Sequence, residues 1–293
     1  MKIVITIPAY NEESTLPKVL QEIAEEMKKA GLAYTFLVLD DGSTDKTKEL
    51  AKKAGALVVS NKRNLGLAET FKRELEECVR LQADIIIHTD ADGQYPARFI
   101  PLLIKEVERG HDLVLGSRFA GNPEGIPLMK RLGNIAFAKV LSKLTKTRLT
   151  DTTTGFRAFT REVAEKIKLI NTFTYTQEQI IRATKQGFSI KEIPIESRKT
   201  RKSKLFKSSF QYAWRAWINI LRIYRDYEPL KFFGRIGGIF FIVGALLGLY
   251  VLYEVLTTGH AGGIPRTILS AVLIMSGIQI MLFGFLADMS RGK

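Results

Sequence analysis

Short apolar runs alternate along the first half of the chain with segments whose apolar residues recur every three or four positions. The runs are rich in isoleucine, valine and leucine, which is typical of buried strands. They lie at residues 2–7, 34–39, 57–59, 83–87 and 111–115. Between them the spacing predicts amphipathic helices, including one that ends at Gly31. This alternation predicts an α/β fold with a mostly parallel, doubly wound sheet and helices on both faces.

Acidic residues follow three of the predicted strands at the point where each strand ends. Glu12 follows the first strand, Asp40 and Asp41 end the second, and Asp90 and Asp92 follow the fourth. Parallel strands place their carboxyl ends at one edge of a sheet, which is where open α/β sheets bind ligands. Singly, each acid could cap a helix or form a turn. Together they indicate a site for a nucleoside diphosphate.

The stretch around Asp90 carries the most specific acidic pattern, Asp90-x-Asp92-x-Gln94. It offers only oxygen ligands, which suit Mg²⁺ or Mn²⁺, and such ions complete their shell with substrate phosphates. The structural alternative is a polar turn in which Asp92 caps the helix that Pro96 opens. The apolar face of that helix comprises Phe99, Ile100, Leu103, Ile104 and Val107.

The composition of the 293-residue chain narrows the classes of chemistry. With 46% hydrophobic residues, the chain can bury a sizeable core. Cys78 is the single cysteine, so no disulfide can form within the chain, and a reducing compartment is expected. No Gly-x-Gly-x-x-Gly follows the first strand and no P-loop motif occurs, so nicotinamide and ATP chemistry lose support.

The net charge of +14 is concentrated in one segment. Residues 196–235 hold 11 lysines and arginines but 3 acidic residues. Such a segment suits nucleic acid or an anionic membrane surface. Two apolar stretches after it, residues 236–256 and 268–287, favour the membrane over nucleic acid, because each is long enough to span a bilayer as a helix.

The two apolar stretches are joined by a short glycine-rich connection and are predicted to form a transmembrane hairpin. Positive charge precedes the first span and follows the second as Arg291 and Lys293. Both flanks, and with them the catalytic domain and both termini, are therefore expected on the cytoplasmic side of the cell membrane. The alternative is a pair of buried helices in a soluble protein, which two such long apolar spans disfavour. Gly244 and Gly248 permit close packing within the hairpin or between subunits of a homo-oligomer.

Aromatic and basic residues alternate in the segment that precedes the hairpin. The aromatic residues include Phe206, Phe210, Tyr212, Trp214, Trp217 and Tyr224. This mixture is typical of helices at headgroup depth, and the alternative is a solvated helix packed on the catalytic domain. The predicted organisation is a catalytic domain at 1–200, interfacial helices at 201–231 and the transmembrane hairpin at 232–293.

Six short motifs follow one another over about residues 1–205. They are Ile7-Pro8-Ala9-Tyr10-Asn11-Glu12, Asp40-Asp41-Gly42-Ser43-Thr44-Asp45, Asn64-Leu65-Gly66, Asp90-Ala91-Asp92-Gly93-Gln94, Gly116-Ser117-Arg118 and Thr154-Gly155-Phe156-Arg157. The ordered set resembles the family-2 inverting glycosyltransferases, whose GT-A fold is Rossmann-like. It resembles most closely the branch of dolichyl-phosphate mannose synthases and polyprenyl-phosphate glycosyltransferases.

The resemblance implies inverting transfer of one sugar from a nucleotide sugar, with GDP-mannose expected first, to a polyprenyl or dolichyl phosphate. It implies Mg²⁺ or Mn²⁺ as cofactor, and the residues implied to hold the metal and the donor diphosphate are Asp90, Asp92 and Gln94. The residues implied to contact the nucleoside are Pro8, Tyr10, Glu12 and Asp41. The residues implied to hold the acceptor phosphate are Arg118, Lys130, Arg131, Asn134 and Arg198.

Two positions depart from the pattern of this branch. Lys130 stands where an arginine is usual, and Arg131 beside it could substitute. Lysine is a point charge without the bidentate fork of arginine, so the grip on the phosphate could differ. Arg201 stands where the segment Arg198–Leu205 usually has glycine, which adds a cation near the acceptor phosphate.

The residue types agree with the implied reaction. A lipid monophosphate has a second pKa of about 6 and is largely ionised at neutral pH, so the nucleophile needs cations to hold it more than a general base. A metal would stabilise the departing diphosphate. Asp151 could bind a sugar hydroxyl, orient an arginine or cap the local structure.

Several alternatives remain at this level. The donor could be UDP-glucose or UDP-N-acetylglucosamine, which these motifs do not distinguish from GDP-mannose. A processive polysaccharide synthase would carry Gln-x-x-Arg-Trp, whereas residues 211–215 have the last two residues in the opposite order. A non-catalytic membrane scaffold is disfavoured by the intact acids and by Arg118.

Overall fold

Seven strands form one sheet in the computed structural model of the chain, which describes residues 1–120, 128–145, 147–169, 175–198, 218, 221–222, 224–226, 228–260 and 263–290. The strands are β1 (Ile3–Ala9), β2 (Tyr34–Asp40), β3 (Leu57–Ser60), β4 (Ile85–His88), β5 (Leu113–Ser117), β6 (Arg157–Thr160) and β7 (Ile190–Pro194). The five runs predicted from the apolar pattern correspond to β1–β5, because isoleucine, valine and leucine dominate each of them.

The sheet order is β3-β2-β1-β4-β6-β5-β7. β1 pairs in parallel with β2 and β4, β2 with β3, and β5 with β7. β6 is antiparallel to both of its neighbours, β4 and β5. The prediction of a mostly parallel α/β sheet is therefore confirmed. The apolar pattern did not predict β6, which is reversed, or the edge strand β7.

Helices connect the strands and cover both faces of the sheet. They are α1 (Leu16–Lys29), α2 (Thr47–Lys53), α3 (Leu67–Arg80), α4 (Ile100–Glu108), α5 (Leu128–Thr145), α6 (Arg161–Lys166) and α7 (Thr176–Lys185). The helix predicted to end at Gly31 corresponds to α1, and its apolar residues Leu16, Val19, Leu20, Ile23 and Met27 are buried. The predicted face of α4 is buried from Ile100 onward. Ile5 of β1 packs in the core with α1 and α4, whereas the neighbouring Thr6 bonds to Glu74 of α3. Alternate residues of one strand thus meet helices on opposite faces.

Two helices follow residue 228. They are α8 (Pro229–Thr258) and α9 (Ile264–Met289), and their mean hydropathies are 2.3 and 2.2. Both are long and apolar enough to cross a membrane, and each exceeds the span predicted from the sequence. The chain divides into two compact units, Met1–Leu205 and Phe206–Lys293. The interfacial helices predicted at 201–231 fall mostly outside the described residues, so their arrangement remains a prediction.

Glycine residues bring α8 and α9 into close contact. A Cβ added to Gly237 would lie 2.5 Å from the carbonyl oxygen of Gly277, and one added to Gly244 would lie 2.9 Å from the backbone nitrogen of Ile274. A Cβ on Gly248 would lie 2.8 Å from Ser270 Oγ. The glycines of the predicted packing stretch are therefore used inside the hairpin, and association between subunits remains a separate prediction.

Candidate functional site

The acids that follow the strands lie at one edge of the sheet, as predicted. Six of the seven strands share a direction, so their carboxyl ends meet there. In the register of the sheet, Ala9 of β1 lies beside Asp40 of β2, and Thr6 lies beside His88 of β4. The residues after Ala9, Asp40 and His88 therefore line the same edge, where ligands bind in open α/β sheets.

The turns that leave β1 and β2 are joined by side-chain hydrogen bonds. Asn11 Oδ1 accepts from the backbone N–H of Thr44 at 2.8 Å, and the Asn11 N–H donates to Ser43 Oγ at 3.0 Å. The Glu12 N–H donates to Thr47 Oγ1 at 2.8 Å, and Glu12 itself is buried. Pro8 is half-buried at the end of β1, and Tyr10 is 45% exposed. Tyr10 thus offers a ring at the carboxyl edge from a firmly held turn.

Asp41 is buried and shapes the loop that follows β3. One oxygen accepts from the N–H of Leu65 at 2.9 Å and from Asn61 Nδ2 at 2.8 Å, and the other accepts from the N–H of Gly66 at 2.9 Å. Gly42 lets this loop approach, because an added Cβ would lie 2.6 Å from the carbonyl carbon of Arg63. Asp41 therefore holds the loop in place, and the direct nucleoside contact implied for it remains a prediction.

The Asp90–Gln94 turn begins two residues after His88, the last residue of β4. Asp92 Oδ1 accepts from the backbone N–H of Gln94 at 2.9 Å, which closes the turn, and Gly93 has a φ of 73°. Asp92 caps no helix here, because a 3₁₀ turn at Ala97–Phe99 precedes α4 and its cap is Pro96. The structural alternative that Asp92 is a helix cap is therefore wrong.

The Asp90 carboxyl is poised to favour a bound cation. Burial raises its pKa, and the neighbouring Asp92 carboxylate adds to the rise, whereas His88 and Arg118 lower it. A cation bound to both carboxylates would relieve the repulsion between them. With the amide oxygen of Gln94 in the same turn, the donor set consists of oxygens and fits Mg²⁺ or Mn²⁺. No group of three or more His, Cys, Asp or Glu side chains suited to a metal occurs among the described residues, so substrate or water oxygens would have to complete the shell.

Gly155, just before β6, packs directly against the Asp90 carboxylate. A Cβ added there would lie 3.1 Å from both Asp90 oxygens and 3.3 Å from the Tyr175 hydroxyl. The Gly155 N–H donates to the Tyr95 hydroxyl at 3.2 Å. Burial raises the pKa of Tyr95 to about 12, so this hydroxyl keeps its proton across the physiological range. Because Gly155 has no side chain, the Asp90 carboxylate can lie directly against its backbone.

A buried polar chain lies behind this turn. His88 Nε2 lies 2.7 Å from the Tyr175 hydroxyl, and His88 Nδ1 lies 2.6 Å from Glu74 Oε1. Glu74 also accepts from the Thr6 hydroxyl. Sequence reasoning missed this set because Glu74 lies within an apolar helical stripe and Tyr175 is remote in sequence. The only signal of this set in the sequence was Glu74, a charged residue at a position of its helix whose neighbours are buried.

Arg118, the first residue after β5, is held by Asp151. Its Nε and one terminal nitrogen donate to the two Asp151 oxygens at 2.7 and 3.0 Å, and Asp151 is fully buried. Burial by itself lowers the pKa of Arg118, but Tyr95 and Asp151 hold it above its ordinary value. Of the roles open to Asp151, the geometry shows that it orients an arginine.

Asn134 on α5 reaches the same segment. Its Nδ2 donates to the carbonyl of Thr150 at 2.7 Å, and its Oδ1 accepts from Thr153 Oγ1 at 3.4 Å. Thr153 Oγ1 also accepts from Arg118 at 2.9 Å. The fold thus brings Asn134 and Arg118 together. Lys130 and Arg131 lie in the first turn of α5; Arg131 is exposed, and the Lys130 side chain lies outside the described residues.

Arg198 lies beside the Asp90–Gln94 turn, but its side chain is engaged elsewhere. Its backbone N–H donates to the carbonyl of Gln94 at 2.9 Å. Its guanidinium pairs with both oxygens of Glu22 on α1, at 2.6 and 2.8 Å. Glu22 also accepts from the N–H of Ala97 at 3.1 Å. The cations predicted to share one pocket thus have two separate sets of partners, Arg118 with Asp151 and Arg198 with Glu22.

Two family models match the chain. Residues 4–168 match the model described as glycosyl transferase family 2, and residues 228–289 match the one described as the GtrB C-terminal hairpin. The first covers more than half of the chain. The first match covers strands β1–β6, and the second covers the α8–α9 hairpin.

Several relatives bear names that state a function, among them one from Haloferax volcanii and one from Escherichia coli. The dolichyl-phosphate hexose transferase of Haloferax volcanii is 34% identical over 66% of this chain and 82% of its own length. The prophage bactoprenol glucosyl transferase homolog of Escherichia coli K12 is 27% identical over 98% of this chain and 93% of its own length. The second similarity therefore extends through the hairpin.

Among solved structures, the fold is similar to glucosyl-3-phosphoglycerate synthase from Mycobacterium tuberculosis in complex with Mn²⁺, UDP and phosphoglyceric acid. The TM-score is 0.58 at 22% identity, with 75% of this chain and 78% of that chain covered. At this identity the likeness shows the fold alone. It confirms the α/β architecture predicted from the sequence.

Proposed function

Because the chain belongs to glycosyl transferase family 2 and ends in a GtrB-type hairpin, we propose that it transfers one sugar, with inversion, from a nucleotide sugar to a polyprenyl phosphate. The observation that carries the proposal is a combination of two features. Asp90 and Asp92 lie in a turn at the carboxyl edge of the sheet, and the same chain carries a hairpin of two helices long enough to span a membrane. The acids suit a nucleoside diphosphate, and the hairpin suits an acceptor that resides in a bilayer.

The donor side comprises the turns after β1, β2 and β4. Asp90, Asp92 and Gln94 would hold Mg²⁺ or Mn²⁺, which supplies positive charge for the departing diphosphate when bound. Tyr10 and Pro8 would contact the nucleoside, with Glu12 in the same turn. Asp41 would act through the loop that it holds, in addition to any direct contact.

The acceptor side comprises the cations. Arg118 is the strongest candidate, because Asp151 orients it while its second terminal nitrogen makes no hydrogen bond to the described residues. Charge-assisted hydrogen bonds from a guanidinium would hold the ionised lipid phosphate as nucleophile. Asn134 would support the same phosphate, with Lys130 and Arg131 approaching from α5. Arg198 would join them after releasing Glu22.

The hairpin would bring this acceptor to the site. Both flanks carry the basic residues expected on the cytoplasmic side, so we place the catalytic unit and both termini in the cytoplasm at the cell membrane. Basic residues in 201–231 would lie at the headgroups of anionic lipids. Homo-oligomerisation through the outer faces of the hairpin remains a proposal of the same kind.

The sugar is the finer part of the proposal. GDP-mannose is the first donor expected from the motifs of residues 1–205. UDP-glucose is the second, because one of the relatives whose similarity spans nearly the whole chain, hairpin included, is named for glucosyl transfer. Two others of similar coverage are named only as a glycosyltransferase and a hexosyltransferase. UDP-N-acetylglucosamine belongs to the same test.

A donor screen tests the proposed function. The purified full-length chain is incubated in detergent with Mg²⁺ or Mn²⁺, a short polyprenyl phosphate and each of the three nucleotide sugars, and the lipid products are identified by mass. One sugar per lipid phosphate is the expected product with a single preferred donor. A polymer would point to a processive synthase, and absence of product with every donor would point to a non-catalytic scaffold.

A further inference from the structure

Glu192, on β7, has its carboxylate covered by donors from the segment that holds Arg118. Its two oxygens accept from the Thr150 N–H at 3.0 and 2.8 Å, and one of them accepts from the Asp151 N–H at 3.0 Å. The other also accepts from Thr150 Oγ1 at 2.7 Å. One carboxylate therefore fixes the backbone of two consecutive residues.

The same two residues determine where Arg118 lies. Asp151 pairs with the guanidinium through both oxygens and accepts from the Arg118 backbone N–H at 3.2 Å. Thr150 Oγ1 lies 2.6 Å from Ser117 Oγ, the residue just before Arg118. Because Asp151 is fully buried, this route from Glu192 to the guanidinium lies inside the domain.

Asn134 also holds the Thr150–Asp151 segment, through the carbonyl of Thr150. It donates to the Thr150 carbonyl at 2.7 Å, so Thr150 is held through its N–H by Glu192 and through its carbonyl by Asn134. Three elements of the fold, β5, β7 and α5, thus meet at one peptide segment. A shift of that segment would move the Asp151 carboxylate and the guanidinium with it.

Maintaining this arrangement costs free energy. Burial raises the pKa of Glu192, the donors from Asp151 and Thr150 oppose the rise, and the nearby Asp151 carboxylate adds to it. Two carboxylates placed close together inside a protein repel each other. An apolar residue on β7 would avoid that repulsion but would leave the N–H groups of Thr150 and Asp151 without these acceptors.

We propose that Glu192 is a positioning residue for the acceptor phosphate, since by fixing the Thr150–Asp151 backbone it sets the direction of the Arg118 guanidinium. The inference rests on the proposed function, in which Arg118 holds that phosphate. Glu192 itself does not touch the substrate. In Glu192→Gln, an amide NH₂ group would face backbone N–H donors in place of one oxygen, so the turn would shift at nearly constant side-chain volume.

Steady-state kinetics with donor and acceptor varied separately test the inference. Full-length Glu192→Gln should lose roughly 10- to 100-fold in kcat/KM for a short polyprenyl phosphate, the scale of a small misplacement of a binding group. The KM for the nucleotide sugar should remain within about 2-fold of wild type, since the donor lies with Asp90 and Asp92. Glu192→Asp keeps the charge and should recover part of the loss. Lys191→Gln, an exposed neighbour on the same strand, is the matched control and should behave as wild type.

A double-mutant cycle separates this inference from the proposed function. If Glu192 acts through Arg118, then Glu192→Gln should cost much less in an Arg118→Lys background than in wild type. Losses that multiply would overturn the inference and leave the proposed function intact. An Arg118→Lys variant with normal acceptor kinetics would overturn the role of Arg118 in the proposed function. Equal losses for donor and acceptor in Glu192→Gln, with nucleotide binding weakened, would mean a general structural role and would also overturn the inference.

Discussion

Ser270 on the second hairpin helix donates a 2.8 Å hydrogen bond to the backbone carbonyl of Gly244 on the first. The bond joins the two helices at a position where the absence of a side chain on Gly244 allows close approach. Small residues play this part in membrane helix pairs, because backbones can then touch and polar groups can bond across the contact.

Adjacent glycines on α8 provide a test of this packing. Gly237→Ala should separate the helices, because its Cβ would lie 2.5 Å from the Gly277 carbonyl oxygen, whereas nothing lies within 4 Å of a Cβ on Gly238. Thermal unfolding in detergent, followed by circular dichroism, should show a lower midpoint for Gly237→Ala and no decrease for Gly238→Ala. Equal midpoints would contradict the helix contact.

The metal assignment predicts a loss of activity without a loss of fold. Asp92→Asn keeps the side-chain volume but removes a negative ligand, and transfer should fall by roughly 10²- to 10³-fold, the scale of losing one electrostatic contact in a transition state. Far-ultraviolet circular dichroism should be unchanged. Wild-type activity that persists undiminished in EDTA would contradict the assignment.

The acceptor assignment predicts a separation of kinetic constants for Arg118→Ala. A hydrogen bond to a charged group contributes about 1.5–3 kcal/mol, so kcat/KM for polyprenyl phosphate should fall by at least about 10-fold. Donor KM should change little. Because this variant leaves the buried Asp151 without its partner, Arg118→Ala with Asp151→Asn restores charge balance and should keep the acceptor defect.

Arg161 is the control for this experiment. It pairs with Asp84, which precedes β4 and so lies at the opposite edge of the sheet from the acids. Arg161→Ala should leave both kinetic constants near wild type. A defect confined to the donor in Arg118→Ala would place Arg118 on the other substrate.

The Arg198–Glu22 pair predicts a pH dependence. The Arg198 hydrogen bond is the largest influence on Glu22, and the pKa of Glu22 is lowered. The pair with Arg198 therefore stabilises the fold above the pKa of Glu22 in the unfolded chain, which is about 4.3. This stabilisation is lost as the pH falls through the lower pKa of Glu22 in the folded protein. Carbon-13 NMR titration of Glu22 should show a higher pKa in Arg198→Gln than in wild type.

The same titration tests whether Arg198 turns to the acceptor. If Arg198 leaves Glu22 to hold a lipid phosphate, a saturating acceptor analogue should raise the pKa of Glu22 in wild type toward that in Arg198→Gln. An unchanged titration in the presence of bound acceptor would mean that Arg198 stays with Glu22 and does not hold the phosphate.

Strands and their acids could be predicted because each signal is local. Ile3–Ala9 and Ile85–His88 are apolar runs, and the acids follow them within four residues. For Asp151 the sequence left three roles open, because its pairing with Arg118 joins positions 33 residues apart. The support that Glu192 gives to the Asp151 backbone was not predicted, since it spans 41 residues and depends on the pairing of the strands. Asp41 illustrates the same limit, since its bonds to Leu65 and Gly66 span more than twenty residues. Periodicity describes which face is buried but carries no information on such long-range pairs.

The reversed strand β6 has a consequence for how such a site can diversify. The six other strands deliver residues to the carboxyl edge as the chain leaves the sheet, but Asp151–Phe156 arrive there as the chain enters β6. Asp90 and Asp92 thus follow a strand that runs toward this edge, whereas Asp151, the partner of Arg118, precedes a strand that runs away from it. Under the proposed function, substitutions within residues 147–153 would alter the acceptor half, whereas Gly155, which packs against the Asp90 carboxylate, belongs with the nucleotide half. If the proposed function holds, a chain organised in this way could exchange one acceptor for another by local change, and residues 147–153 are where new acceptors would be sought.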